Sequence, residues 1–125
     1  MKKAIYPGTF DPITFGHIDL IKKSLNIFDQ VIVAVSDGNT KNYLFDANER
    51  EHLIKKALFS DLKFSKKKII VTSFKTLTTD FCKKMKSNVI IRGLRATSDF
   101  EYEFQLAGMN KKLNNLVETV FLMSD

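Results

Sequence analysis

Val31-Ile32-Val33-Ala34-Val35 is apolar on every residue and β-branched at four of its five positions. A strand with one face in water alternates apolar and polar side chains. An uninterrupted run therefore marks a strand covered on both faces, which is the habit of parallel sheet. Parallel strands need crossover connections, so helices are expected on either side of it.

Working outward, the flanking sequence supplies them. Upstream, Ala4-Ile5-Tyr6 is a short apolar run stopped by Pro7-Gly8, a strand ending in a loop. Between the two runs, Ile18, Ile21, Leu25 and Phe28 recur every three or four residues, the apolar face of a helix. Downstream, Asp46 and Glu49 form a helix-opening pair, with Leu53, Ile54, Ala57 and Leu58 as the buried stripe. Ile69-Ile70-Val71 predicts a third strand; Leu77, Phe81, Cys82 and Met85 a short helix; Val89-Ile90-Ile91 a fourth strand. Ser98 with Glu101 opens a last helix whose inner face is expected to carry Phe100, Phe104 and Ala107, and residues 117–123 form a fifth strand. Strict β/α alternation predicts an α/β fold: a Rossmann-like, doubly wound, five-stranded parallel sheet with helices on both faces. Ligands of such sheets bind beyond the C-terminal strand ends, where the strand order reverses.

At 125 residues the chain suits one domain, and 44% hydrophobic with 27% charged residues excludes disordered and fibrous classes. It has neither an apolar run long enough to span a membrane nor a signal-peptide pattern, so a cytoplasmic protein is expected, with no membrane partner. The lone Cys82 excludes an internal disulfide and a multi-cysteine metal site, and no carboxylate cluster suggests a dedicated metal cage. A net charge of +6 favours an anionic partner. Nucleic acid is not expected, because the phenylalanines sit at buried spacing rather than along a basic stripe. Among the basic residues nearly all are lysine, yet two of three arginines fall together in Arg92-Gly93-Leu94-Arg95. Guanidinium groups offer planar, forked donors that lysine cannot.

The loop after the first strand reads Tyr6-Pro7-Gly8-Thr9-Phe10-Asp11-Pro12-Ile13-Thr14-Phe15-Gly16-His17. It delivers a hydroxyl, a glycine and a histidine to a helix N-terminus, an arrangement suited to phosphate. His17 there can supply a hydrogen bond or a charge.

Thr14-Phe15-Gly16-His17 resembles the Thr/His-x-Gly-His signature of a nucleotidyltransferase superfamily. With the wider string 6–17, Ile90-Ile91-Arg92-Gly93-Leu94-Arg95, and the following DFEYE and QLAGMN segments, the chain resembles the bacterial phosphopantetheine adenylyltransferases in register over residues 3–123. The pairing of RGLR with DFEYE argues against nicotinate-mononucleotide adenylyltransferases and cytidylyltransferases, which share the Gly-His helix start. The resemblance implies transfer of the adenylyl group from ATP to 4'-phosphopantetheine, giving dephospho-coenzyme A and pyrophosphate, with Mg2+ accompanying ATP. It implies ATP contacts from Thr9, Phe10, His17, Gly93, Leu94, Arg95 and Glu103, and acceptor contacts from Thr9, Lys41, Thr78 and Arg92. His17 and Lys41 are the implied catalytic pair. Coenzyme A as a feedback ligand and a homohexamer, a dimer of trimers, are also implied. Relatives continue past the position of Asp125 into a serine-rich loop over ATP and further helices, so residues 1–125 are expected to be the single nucleotidyltransferase domain without that part.

Overall fold

The computed structural model describes residues 1–38, 42–95 and 97–123. Strands β1 (Lys3–Gly8), β2 (Gln30–Ser36), β3 (Ile69–Phe74), β4 (Val89–Leu94) and β5 (Glu118–Met123) alternate with helices α1 (Phe15–Ser24), α2 (Ala47–Lys55), α3 (Thr78–Met85) and α4 (Thr97–Leu113). The order in the sheet is β3-β2-β1-β4-β5, and every pairing is parallel. The doubly wound fold expected from the alternation is the one found.

The apolar run that predicted it is buried throughout, from Val31 to Val35. Because successive strand side chains point to opposite faces, the run feeds two cores. Val31, Val33 and Val35 join Ala4, Leu20, Ile21, Ile54 and Leu58 beneath α1 and α2. Ile32 and Ala34 join Ile5, Phe81, Cys82 and Ile90 beneath α3. Each fully buried aliphatic side chain contributes about 1.5–3 kcal/mol, so both faces are held without disulfide or metal.

Helix α2 opens as expected, with Asp46 Oδ1 accepting the Glu49 N–H at 2.8 Å, and continues into a π-helical turn over Lys56–Asp61. Helix α1 ends at Ser24, so Leu25 and Phe28 pack from beyond its last turn, and Leu20 is buried against Gly93 of β4. The largest departure is α4. Phe100 and Phe104 are exposed, and the side turned inward carries Glu103, Leu106, Ala107 and Asn110. That face has its own helical spacing, and its buried anchor is a carboxylate. Ser98 lies within the first turn of α4, whose first residue is Thr97.

Strand β1 lies between β2 and β4. The chain leaves β1 toward β2 through α1 and leaves β4 toward β5 through α4, so the crossovers diverge and open a crevice between the two strand ends.

Candidate active site

A cleft of about 560 Å3 occupies that crevice, bordered by Thr9, Phe10, His17, Arg92, Arg95 and Glu103. A larger hollow of about 720 Å3 between α2 and β3 has an apolar floor of Phe59, Ile69 and Val71 and a rim of flexible lysines. Only the crevice gathers oriented hydrogen-bond donors, so the chemistry is assigned there.

The Thr14-x-x-His17 spacing closes a capping box on α1. Thr14 Oγ1 accepts the His17 N–H at 3.3 Å, and the Thr14 N–H donates to His17 Nδ1 at 3.0 Å. Histidine thus takes the place that Glu or Gln holds in the usual box. The hydrogen bond assigns the tautomer: Nδ1 is an acceptor, so in the neutral ring Nε2 carries the proton. Burial, then the positive charges of Arg95 and Arg92, hold the His17 pKa below its ordinary value. At neutral pH the imidazole is therefore an uncharged N–H donor. The N–H groups of Phe15 and Gly16, the first two helical residues, lie outside the box at the positive end of α1.

Phe10 steadies the ring. Its side chain is 1% exposed and its centroid lies 4.8 Å from that of His17, with Tyr6 edge-on at 5.3 Å. Phe10 holds φ at 49°, a left-handed conformation that costs an ordinary residue about 1 kcal/mol; burial of the ring offsets it. Gly8 makes room, since a Cβ there would come within 3.0 Å of the Phe10 ring.

From β4, Arg92 reaches Glu103 of α4 through Nε–H to Oε1 (2.7 Å) and Nη2–H to Oε2 (2.8 Å), and donates Nη1–H to the Pro7 carbonyl at 3.0 Å. Burial works against the Arg92 charge, but the hydrogen bonds and charge of Glu103 outweigh it and raise its pKa. Three of the five guanidinium N–H groups are spent on fixing its plane, and two remain. Arg95 is largely exposed and lies 3.5 Å from Asp99, a contact that a phosphate could displace at little cost. Burial pushes the Tyr6 hydroxyl up to about 12 against the pull of Arg92, so it stays protonated.

Of the residues expected from the sequence, Thr9, Phe10, His17, Arg92, Gly93, Arg95 and Glu103 meet around the cleft. Leu94 ends β4 and Thr78 begins α3, neither of them bordering the cleft. Lys41 lies outside the described residues. Sequence reasoning missed Tyr6 and Asp11 at the cleft, the Thr14 capping role, and the fully buried Arg50. Arg50 carried a signal: a lone arginine on α2 in a lysine-rich chain, four residues after the Asp46 cap.

The sequence matches the cytidylyltransferase-like family over residues 5–125. It is 75% identical to a phosphopantetheine adenylyltransferase of Pelagibacter ubique across 100% of this chain and 77% of that protein. The chain belongs to the phosphopantetheine adenylyltransferases. Another member, from Francisella tularensis subsp. novicida, is 52% identical over 97% of this chain and 72% of its own length. Distant structures share the fold of the family. One is a bifunctional NMN adenylyltransferase/ADP ribose pyrophosphatase of Francisella tularensis solved with AMP and a manganese ion (TM-score 0.72, 16% identity, 100% of this chain and 38% of that one). The other is a lipopolysaccharide core biosynthesis protein of Thermoplasma volcanium (TM-score 0.66, 22% identity, 100% and 97%).

Proposed function

We propose that the protein transfers the adenylyl group of ATP to 4'-phosphopantetheine, releasing pyrophosphate and forming dephospho-coenzyme A. A phosphate oxygen of the acceptor attacks the α-phosphorus; its new P–O bond forms as the bond to the bridging oxygen of pyrophosphate breaks. The nucleophile is already anionic at neutral pH, so no side chain needs to remove a proton. The barrier lies in bringing two polyanions into line and spreading charge over the α-phosphate, a task for positioned donors.

His17 fills that role as a neutral Nε2–H donor to the α-phosphate, beside the N–H groups of Phe15 and Gly16. Thr9 lies between the two substrates, with the Phe10 backbone and Gly93 against the nucleotide; Leu94 is assigned there by the resemblance alone, since it does not border the cleft. Arg95 leaves Asp99 for the polyphosphate. Arg92 turns its remaining N–H groups to the acceptor phosphate while Glu103 holds its plane, so Glu103 acts on the acceptor at one remove, where the resemblance implied a contact with ATP. The family resemblance alone assigns Lys41 and Thr78 to the acceptor side, Thr78 from the start of α3 outside the border of the cleft.

Mg2+ accompanying the nucleotide would lower the charge of its phosphates. Among the described residues no three His, Cys, Asp or Glu side chains gather as a cage, and the nearby carboxylate of Glu103 is engaged by Arg92. The residues fit an ion carried by phosphate oxygens rather than one held by protein. Among the described residues no helix is long and apolar enough to cross a membrane, which agrees with work in the cytoplasm. Exposed Phe100, Phe104, Met109 and Leu113 on α4 support assembly into a homohexamer of two trimers, and coenzyme A is expected to compete at the same cleft.

The observation that carries the reading is the convergence of the His17 imidazole, the α1 N-terminus and two guanidiniums on one cleft; membership of the family sets the acceptor. The test is pyrophosphate release from ATP with and without 4'-phosphopantetheine. Release that requires the acceptor supports it. Release with nicotinate mononucleotide in its place, or with ATP alone, overturns it.

A further inference from the structure

Two residues with no part in the expected chemistry tie the loop after β1 to the loop after β2. Arg50, 0% exposed on α2, spends its guanidinium on four acceptors from those loops. Nη1 donates to the carbonyls of Thr9 (2.9 Å) and Ser36 (3.0 Å), Nη2 to Asp37 Oδ1 (3.2 Å), and Nε to the Phe45 carbonyl (3.1 Å). Its Cζ stacks 4.0 Å over the Tyr43 ring, whose hydroxyl accepts the Gly38 N–H at 2.9 Å. Asp11 completes the connection from the other loop: its Oδ2 accepts the Leu44 N–H at 2.7 Å and its Oδ1 the Phe45 N–H at 3.0 Å. A closed circuit results, from Thr9 through Arg50 to Phe45 and back through Asp11.

Two features separate this from ordinary packing. A buried arginine is a poor way to gain stability, since apolar residues of similar size do as well or better; what it fixes is geometry, because a planar donor fork holds several carbonyls in one relation. Asp11, although it borders the cleft, has each oxygen accepting a backbone N–H of the other loop, so its carboxylate is oriented by that loop.

We propose that Asp11 and Arg50 are positioning residues that set the spacing between the two substrates. They hold Thr9, which lies between the two substrates, in fixed relation to Asp37 and Gly38 on one side and to Tyr43, Leu44 and Phe45 on the other, the described residues that flank Lys41 in the sequence. In-line transfer is sensitive to ångström displacements of the reacting partners. Loss of the brace therefore degrades use of the acceptor more than it degrades ATP binding, which rests on the separately capped α1. This rests on the adenylyl-transfer reading above.

The test compares wild type, Asp11→Asn, Asp11→Ala and Arg50→Lys by steady-state kinetics for each substrate, by calorimetric affinity for a non-reacting ATP analogue, and by amide hydrogen exchange. Asp11→Ala is expected to lower kcat and raise KM for 4'-phosphopantetheine, at least 10-fold together in kcat/KM, while analogue affinity stays within 3-fold. Asp11→Asn, which keeps one acceptor oxygen, falls between. Exchange at Leu44 and Phe45 accelerates in both Asp11 variants and leaves β1 and β2 protected. Equal losses for both substrates, or unchanged acceptor kinetics in a folded Asp11→Ala, overturn the proposal. Arg50→Lys is read the same way if it folds, and the Asp11 pair decides if it does not. Should wild type itself not use 4'-phosphopantetheine, the reaction reading fails; exchange at Leu44 and Phe45 then still tests the brace, and unchanged exchange in Asp11→Ala overturns it.

Discussion

Replacing His17 with asparagine separates the two jobs that the imidazole does. Asparagine places a carbonyl oxygen close to where Nδ1 stands, so the Thr14 N–H keeps its acceptor, now 3.0 Å from Nδ1, and the cap survives. What disappears is the Nε2–H donor. A hydrogen bond to a charged oxygen contributes about 1.5–3 kcal/mol, and each 1.36 kcal/mol is tenfold in rate, so kcat should fall roughly 10- to 150-fold. Loss of the ring contact with Phe10, 4.8 Å between centroids, costs about 1 kcal/mol, a drop in Tm of about 3–5 °C at this size. His17→Ala loses the donor and the Nδ1 half of the capping box together, while Thr14 Oγ1 keeps the backbone N–H, so it should match the asparagine variant in rate and lose a further ~1 kcal/mol of stability. Saturating pyrophosphate-release assays give kcat, and scanning calorimetry gives Tm. A folded His17→Asn that keeps more than half of wild-type kcat would refute the donor role. Equal Tm values for the two variants would refute the cap.

The depressed pKa of His17 also fixes a pH dependence. Its folded-state pKa lies below the ordinary value of 6.5, so the unfolded chain binds the proton more readily and stability, full above pH 6.5, is lost as pH falls through the folded pKa; Tm against pH should show this decline, and His17→Asn should remove that part of it. Glu103→Gln leaves Arg92 partly buried beside a neutral amide, so a loss of about 1–3 kcal/mol in urea melts and a roughly tenfold drop in kcat/KM for the acceptor are expected, with unchanged acceptor kinetics contradicting the positioning role. Gly8→Ala brings a Cβ within 3.0 Å of the Phe10 ring and should displace it from His17; Tm and kcat should fall together, and a variant with wild-type Tm would show that the ring yields freely.

How much of this was legible in the chain differs by element. The five strands could be placed because runs of consecutive apolar residues need no partner to be recognised, even in β5, which is only half-buried. Helix α2 could be started correctly because its cap, Asp46 to Glu49, is a local hydrogen bond. Helix α4 was read with Ala107 correctly inward but with Phe100 and Phe104 wrongly so. Phe100 and Phe104 promised the larger transfer free energy, but a bidentate ion pair to Arg92 turned Glu103 toward the sheet and left the phenylalanines outside. Hydrophobic periodicity has no term for a partner eleven residues away on another element.

The site divides in the same way. Thr9, Phe10 and His17 belong to one loop, and Arg92, Gly93 and Arg95 to one strand end, so contiguous motifs with fixed spacing were enough to name them. The bracing by Arg50 and Asp11 belongs to no contiguous motif, because the bonds that cross between the loops join residues 41 and 33 positions apart. By itself the sequence determined the alternation of strands and helices, the phosphate-binding loop and the family, all of which follow from local spacing. Only the tertiary structure decided the tautomer and charge of His17, the orientation of Arg92 and the bracing of one loop on another, because hydrogen-bond geometry and burial arise only when distant segments meet.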